Sequence, residues 1–172
     1  MPEVPLRKKF VILITGSRDW DNFESIKHRI IQAIAEWLQE NPEYSKIPMS
    51  EWLTVVHGGC PRGADRLADI FARNTLKCKV IVYQADWKKY GKRAGPVRNL
   101  QMVQKSNADA CLAFIKDRSS GATGCRDAAD KFGIATETFH YVNELEEYPL
   151  PEQENTPHKK AKGIQKTISD VS

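Results

Sequence analysis

Cysteine and histidine are scarce in this sequence, and neither is spaced for a disulfide framework or a zinc site. The four cysteines, at positions 60, 78, 111 and 125, include no C-x-x-C pair. The four histidines, at positions 28, 57, 140 and 158, show no metal-ligand spacing either. We therefore expect reduced thiols in a cytoplasmic protein, with no bound metal and no cofactor.

Long apolar runs are also absent. The run Phe10–Ile14 follows three basic residues, but it is too short to span a membrane, and no small-residue cleavage site follows it. We expect it to form a buried β-strand. The sequence thus predicts no association with a membrane.

A strong excess of either charge is missing. The 172 residues carry a formal net charge of +4, with 41% hydrophobic and 28% charged residues. This composition is typical of a globular domain with a substantial core. The charge is too small to predict nucleic-acid binding by itself.

The standard phosphate-binding fingerprints are incomplete. Gly58 and Gly63 have the spacing of a P-loop, but Ala64 and Asp65 follow where Lys and Ser or Thr are required. No G-x-G-x-x-G motif follows the first apolar run. These absences argue against an ordinary nucleoside triphosphatase and against a standard dinucleotide site.

Apolar runs that suit buried strands alternate five times with helical periodicity. This order predicts an α/β fold with a parallel sheet of about five strands and helices on both faces. We expect a domain over residues 1–142 and a flexible tail over 143–172, where apolar periodicity is lost. The predicted strands are 9–16, 53–57, 79–83, 110–115 and 134–139.

One glycine-rich stretch, His57–Asp65, joins the second predicted strand to a helix that we expect over residues 63–75. Glycines let backbone N–H groups approach a ligand, and a helix N-terminus attracts anions. Two further turns carry glycine at the same edge of the sheet, Gly16–Arg18 and Gly121–Gly124. Because ligands of open α/β sheets bind at this edge, the three turns together predict a phosphate site.

A basic and aromatic segment follows the third predicted strand. Its charged residues are Asp86 against Lys88, Lys89, Lys92, Arg93 and Arg98. Trp87 and Tyr90 are interleaved with them, which favours a base-stacking platform beside a phosphate clamp, although a solvated loop has the same composition. We expect the following helix to begin at Pro96.

Polar residues beside these turns complete the candidate site. Asp65 and Asn99 lie in first turns of helices, where they could accept hydrogen bonds from ribose hydroxyls or order the turn. His57 is a possible general base or a structural residue. We expect Asp21 to cap the first helix, with Glu24 completing a capping box.

These motifs, in this order, resemble one family. The string Thr15–Trp20, the His57–Asp65 turn, the segment from Ala85 to Asn99 and the Gly121–Gly124 loop look like the YspA-related branch of the SLOG superfamily. That superfamily groups the DNA-processing protein Smf/DprA with the LOG cytokinin-activating enzymes. The resemblance covers roughly residues 9–139.

The resemblance implies a Rossmann-like fold that binds a nucleotide or nucleotide-derived ligand, as a sensor or sequestering protein in a phage or conflict system. It also implies a homo-oligomer. The ligand-binding residues that we expect are Gly16, Ser17, Arg18, Trp20, His57, Gly58, Gly59, Asp65, Asp86, Trp87, Tyr90, Arg98, Asn99, Gly121, Thr123 and Gly124.

Two other functions remain open. A LOG-like phosphoribohydrolase would cleave an N-glycosidic bond, with Asp19, Asp65 or Asp127 as the acidic group. However, the position of the catalytic glutamate of LOG enzymes is Ala128 here, and a methyl group cannot transfer a proton. Single-stranded DNA binding, as in the DNA-processing branch, is the third and least favoured alternative.

Overall fold

The computed structural model describes residues 8–141, which form a five-stranded, fully parallel sheet. The strand order is β3-β2-β1-β4-β5, which confirms the predicted Rossmann-like α/β architecture. The strands are β1 (Phe10–Gly16), β2 (Leu53–His57), β3 (Lys79–Val82), β4 (Ala110–Ile115) and β5 (Ala135–His140).

Five α-helices connect the strands: α1 (Phe23–Glu40), α2 (Ala64–Ile70), α3 (Trp87–Tyr90), α4 (Ala94–Lys105) and α5 (Ser120–Lys131). Short 3₁₀ helices occupy Pro42–Lys46, Met49–Glu51 and Gly91–Arg93, and a π-helical turn, Phe71–Leu76, continues α2. Within the described residues, no helix has the length and hydrophobicity of a membrane span.

Alternate side chains of β1 enter two separate cores, one on each face of the sheet. Ile12 and Ile14 pack with residues of α1 and α2, whereas Leu13 packs with residues of α4 and α5. All three side chains are fully buried. Both faces of the central strand are covered by helices, and this explains why its sequence is a continuous apolar run.

The local start of α1 differs from the prediction. The N-cap is Asn22, whose side chain accepts a hydrogen bond from the backbone N–H of Ser25. The carboxylate of Asp21 instead accepts a hydrogen bond from the Tyr141 hydroxyl at 2.5 Å. The prediction of an Asp21 cap was wrong, because the carboxylate is hydrogen-bonded to a tyrosine that is distant in the sequence.

Two predicted loops contain more helix than expected. The basic and aromatic segment forms α3, a 3₁₀ turn and the start of α4, so Pro96 is the third residue of α4 and not the first. Gly121 and Gly124 lie inside α5, whose buried Ala122, Cys125 and Ala129 stabilise the helix against the sheet. The connection after β4 is therefore limited to residues 116–119.

Candidate functional site

A cavity of about 770 Å³ opens at the carboxyl ends of the strands, where the connections diverge to the two faces of the sheet. Its volume is in the usual range for small-molecule sites. We call it the switch-point cavity. It brings together the residues that follow β1, β2, β3 and β4. Its basic side chains are Arg18, Arg62, Lys92, Arg98, Lys116 and Arg118, and its acidic ones are Asp19, Asp65 and Asp117.

The turn after β2 is held by His57, which is buried at the end of its strand. The backbone N–H of Gly59 donates a hydrogen bond to Nδ1 of His57 at 3.0 Å. Because Nδ1 accepts, the ring proton of the neutral form lies on Nε2, which is 2.8 Å from Oδ1 of Asp69. Both ring nitrogens are therefore engaged, and His57 acts as a structural residue of this turn.

Asp69 extends this network along α2. Burial alone would raise the pKa of its carboxyl, but hydrogen bonds from His57 and Arg73 outweigh burial and lower the pKa below its ordinary value. Arg73 donates through Nε to both carboxylate oxygens, at 3.0 and 3.1 Å. The ring of His57 is thus oriented by a carboxylate that stays ionised.

Asp65 is the buried carboxylate of the switch-point cavity, with 7% of its surface exposed. Its Oδ2 accepts a hydrogen bond from the backbone N–H of Cys60 at 3.2 Å. Burial raises the pKa of Asp65, while the charges of His57 and Arg98 and the amides of Cys60 and Gly58 oppose that rise.

The hydrogen bonds change what this turn offers to a ligand. The amides of Gly59 and Cys60 already have acceptors in His57 and Asp65. The turn therefore presents a carboxylate to the cavity rather than a row of free N–H groups. Its hydrogen bonding does not support the phosphate cradle predicted at Gly58 and Gly59.

Arg98 and Asn99, at the start of α4, brace the cavity walls. Nη1 of Arg98 donates to the carbonyl oxygens of Gly58 and Tyr83, and its Nε donates to Oδ1 of Asn99 at 2.9 Å. Nδ2 of Asn99 donates to the carbonyl oxygen of Gly121 at 3.3 Å. Arg98 is therefore a structural clamp on the β2 turn as well as a charge in the cavity.

The turn after β1 is also fixed by its own polar groups. The hydroxyl of Ser17 accepts a hydrogen bond from the backbone N–H of Lys116 at 2.8 Å and lies 3.3 Å from the carbonyl oxygen of the same residue. The backbone N–H of Ser17 donates to the carbonyl oxygen of Phe114. Ser17 thus joins the ends of β1 and β4 and positions Arg18 at the cavity.

Trp20 packs in the core below this turn and does not line the cavity. Its ring is buried and makes edge contacts with Phe114 and Tyr141. Its Nε1 donates to the carbonyl oxygen of Asn22 and to the hydroxyl of Ser25. These contacts assign Trp20 to support of the turn, which differs from its predicted place at the ligand.

The two aromatic residues of α3 lie at different cavities. Trp87 is 53% exposed and lines the switch-point cavity, with the tip of its ring near Gly95. Tyr90 lies in a smaller neighbouring cavity, and the Lys89 ammonium is 5.1 Å from the centre of its ring. Asp86 caps α3 through the backbone N–H of Lys89. Of the two rings, that of Trp87 lines the switch-point cavity.

The N-terminus of α5 forms the wall of the cavity after β4. Ser120, Gly121 and Ala122 line the cavity, the first turn holds no acidic residue, and the N-cap Ser119 makes no side-chain capping bond. Such a helix end favours an anion. Within residues 8–141, the lining side chains of Arg18, Arg62, Lys92 and Arg118 form no ion pair.

The structure thus separates the predicted site residues into two sets. Those that line the switch-point cavity are Gly16, Arg18, Asp19, Gly58, Asp65, Trp87, Arg98, Asn99 and Gly121. Those that lie outside its lining are Ser17, Trp20, His57, Gly59, Asp86, Tyr90, Thr123, Gly124 and Asp127. Thr123, Gly124 and Asp127 line an adjoining, more open cavity beside α5, which shares residues 117–120 with the switch-point cavity.

Sequence reasoning missed several cavity residues, among them Cys60, Arg62, Lys116 and Arg118. Lys116 and Arg118 directly follow β4, so their place after a predicted strand was the signal that could have found them. Arg62 adjoins Gly63 in the β2 turn. Ala128, at the position of the LOG glutamate, is half-buried against the α4–α5 core.

Comparison with known proteins identifies a related family and a related phage protein. The model of a family described as "YspA, cpYpsA-related SLOG family" matches residues 10–90. The chain is 39% identical over 132 residues to the Gene 61 protein of Mycobacterium phage D29, a match that covers 74% of this chain and 94% of the phage protein. No solved structure gives a significant match.

Proposed function

The chain belongs to the YspA, cpYpsA-related SLOG family, and we propose that it binds a nucleotide or nucleotide-derived ligand in the switch-point cavity. We further propose that it acts as a sensor or sequestering protein. Membership of the family supports nucleotide-related binding or processing in general terms. The details of the ligand rest on the chemistry of the cavity.

The observation that carries the proposal is the charge arrangement after β1 and β4. Arg18 and Arg118 line the same cavity as the first residues of α5, and neither side chain forms an ion pair within the described residues. Guanidinium groups and free helix N–H groups are the donors that phosphate prefers. We therefore expect the phosphate groups of the ligand to bind at the end of the cavity that is formed by these arginines and by the first residues of α5.

The exposed ring of Trp87 supports a second contact. An aromatic ring at the rim of a basic cavity stacks on a nucleobase without requiring one particular base. The cavity thus provides an anion site at α5 and a stacking surface at α3. A ligand that contains both a phosphate and a base satisfies both.

The test is a binding and release experiment. The purified protein is incubated with mono-, di- and cyclic nucleotides, nucleotide sugars and a short single-stranded oligonucleotide. The protein-bound and free fractions are then separated and analysed by mass spectrometry. We expect an intact nucleotide derivative in the bound fraction.

The matched variants are Arg18→Ala in the cavity and Arg66→Ala, an exposed arginine on α2 outside it. We expect Arg18→Ala to weaken binding about 10- to 100-fold, since a hydrogen bond to a charged group is lost, and Arg66→Ala to have no effect. Equal affinity of Arg18→Ala and wild type for every bound compound would disprove the assignment.

A second candidate function is cleavage of the ligand, which one observation favours. Asp65 is a buried carboxylate in the cavity and its raised pKa suits a proton donor. Asp127 is not in the lining of this cavity but in that of the adjoining one, and Asp19 is exposed. The candidate predicts a free base or a ribose phosphate in the unbound fraction, and no such product with Asp65→Asn. Recovery of only intact compound would rule it out.

A further inference from the structure

Building on the proposed function, we infer that Asp65 recognises a ribose hydroxyl group, so that the switch-point cavity selects ribonucleotide derivatives over their deoxy counterparts. This inference concerns the sugar of the ligand, whereas the proposed function concerns its phosphate and base. The argument starts from the hydrogen-bonding capacity of the carboxylate.

A carboxyl oxygen that carries no proton accepts hydrogen bonds. The backbone N–H of Cys60 donates to Oδ2 of Asp65, and the amide of Gly58 also faces this carboxyl group. Two such donors leave acceptor positions on a residue that lines the cavity. A ligand that donates a hydrogen bond to a buried acceptor gains affinity. A ligand that lacks this donor leaves the acceptor unpaired, which costs binding free energy. Hydroxyl groups are the donors that a nucleotide carries between its base and its phosphate.

The other parts of a nucleotide fit this position poorly. A phosphate would be repelled by the carboxylate, and the amides of Gly59 and Cys60 are already bonded within the turn. The base has a stacking surface elsewhere, at the exposed ring of Trp87. The sugar is the part of the ligand that remains for Asp65.

Two glycines of the cavity lining let the backbone pack closely around the turn that carries Asp65. Gly16 and Gly58 line the cavity near it and carry no side chain. A Cβ at Gly16 would lie against Ala64, the residue before Asp65, and a Cβ at Gly58 would lie 2.7 Å from the guanidinium carbon of Arg98. Neither position has room for a side chain, so the two glycines let the cavity wall pack closely beside Asp65.

The test measures equilibrium affinity by calorimetry for ADP, 2′-deoxy-ADP and 3′-deoxy-ADP, and for the corresponding guanine, cytosine and uracil compounds. We expect wild type to bind a ribonucleotide about 10- to 100-fold more tightly than at least one of its deoxy forms. In Asp65→Asn, the side-chain oxygen still accepts from Cys60, but the second carboxylate oxygen is replaced by a donor. We expect its preference for the ribonucleotide to disappear.

The control is Asp130→Asn, an exposed carboxylate on α5 that does not line the cavity, which should keep the preference. Equal binding of ribo and deoxy compounds by wild type would overturn this inference and leave the proposed function intact. A preference that persists in Asp65→Asn would also overturn it. If wild type binds none of the compounds, this inference fails, and the proposed function is decided separately by the wider panel of the binding and release experiment. If Asp65→Asn does not fold, as judged by circular dichroism, the wild-type affinity ratios alone decide.

Discussion

Nδ1 of His57 accepts a hydrogen bond from the backbone N–H of Gly59, two residues further along the chain, at 3.0 Å. The opposite nitrogen of the ring is bound to Asp69. The imidazole therefore connects the β2 turn to the second turn of α2. Its contribution to the site is the shape of that turn.

The substitution His57→Ala removes this connection. It leaves a backbone N–H without its acceptor and a carboxylate without one of its donors, and each such loss costs about 1–3 kcal/mol. Urea unfolding should show a free energy of unfolding that is lower by about 2–6 kcal/mol, the sum of the two losses. His140→Ala, at an exposed position of β5, is the control and should change stability by less than about 0.5 kcal/mol. A similar small effect at position 57 would contradict the structural role.

The charge of Asp65 should make stability depend on pH in a defined direction. Because its pKa is raised in the folded protein, the folded state binds the proton more tightly than the unfolded state does. This contribution to stability is complete below the ordinary aspartate pKa of about 4 and is lost as pH rises through the folded value. Asp65→Asn removes it.

We therefore expect the stability of Asp65→Asn relative to wild type to increase as pH rises from about 4 towards neutrality. Urea midpoints measured across this range check the prediction, with Asp19→Asn as the exposed control. A stability difference between Asp65→Asn and wild type that stays constant with pH would show that burial does not penalise the charged form.

The four cysteines should differ in reactivity. Burial raises the pKa of Cys78 to about 11, of Cys111 to about 12 and of Cys125 to about 11. These three thiols are protonated at pH 8, and those of Cys111 and Cys125 are also buried. Cys60, which is half-exposed like Cys78, lines the switch-point cavity. Iodoacetamide should label Cys60 first, as peptide mass spectrometry would show.

A bound ligand should slow this labelling, since it occupies the same cavity. Cys60→Ser should remove the fast phase of the reaction. If the ligand identified by binding and release leaves the Cys60 rate unchanged, it binds outside the switch-point cavity.

Trp87 should report ligand binding directly. It is exposed, whereas Trp20 and Trp52 are buried and Trp37 is half-buried against the core. Stacking of a base on its ring should quench the tryptophan emission. Replacing Trp87 by Ala should weaken the binding of a nucleotide by about 1–3 kcal/mol, while Trp87→Phe keeps most of the affinity. Equal affinity of Trp87→Ala and wild type would rule out stacking.

Two glycines should respond to alanine with opposite signs. A Cβ at Gly16 would lie 2.7 Å from the carbonyl oxygen of Phe114 and still closer to the side chain of Ala64. At Gly124, inside α5, the corresponding space is open. Gly16→Ala should destabilise the protein by about 1–3 kcal/mol, and Gly124→Ala should stabilise it by up to about 1 kcal/mol. Thermal unfolding of the two variants checks both signs.

The strands could be predicted from the sequence because a strand that is buried on both faces has a continuous apolar sequence. The predicted bounds of β2 and β4 agree with the structure, and those of β1, β3 and β5 differ by one residue at one or both ends. The residue at which α5 begins could not be predicted from the sequence. Glycine is a poor helix former, and only the packing of Ala122 and Cys125 against the sheet overrides that preference.

The candidate site was predictable as a place but not as a set of contacts. The order of strands and helices indicates the carboxyl edge of the sheet. The sequence His57–Asp65 is equally compatible with free amides and with amides bonded to His57 and Asp65. Which of these forms depends on side-chain positions set by α2 and Arg98, and local sequence does not contain that information. The division of the chain at residue 142 and the predicted tail lie outside the described residues and stay predictions.

The central place of β1 has a consequence for how the molecule opens. β1 is hydrogen-bonded to a strand on each side, and the edge strands β3 and β5 are partly exposed. Amide hydrogens at the edges will exchange with solvent through small local openings, whereas those of Ile12–Ile14 will exchange only when the whole domain unfolds. Since Gly16 ends β1, one wall of the cavity is attached to the slowest-exchanging segment, and it keeps its geometry while the edges of the sheet fray.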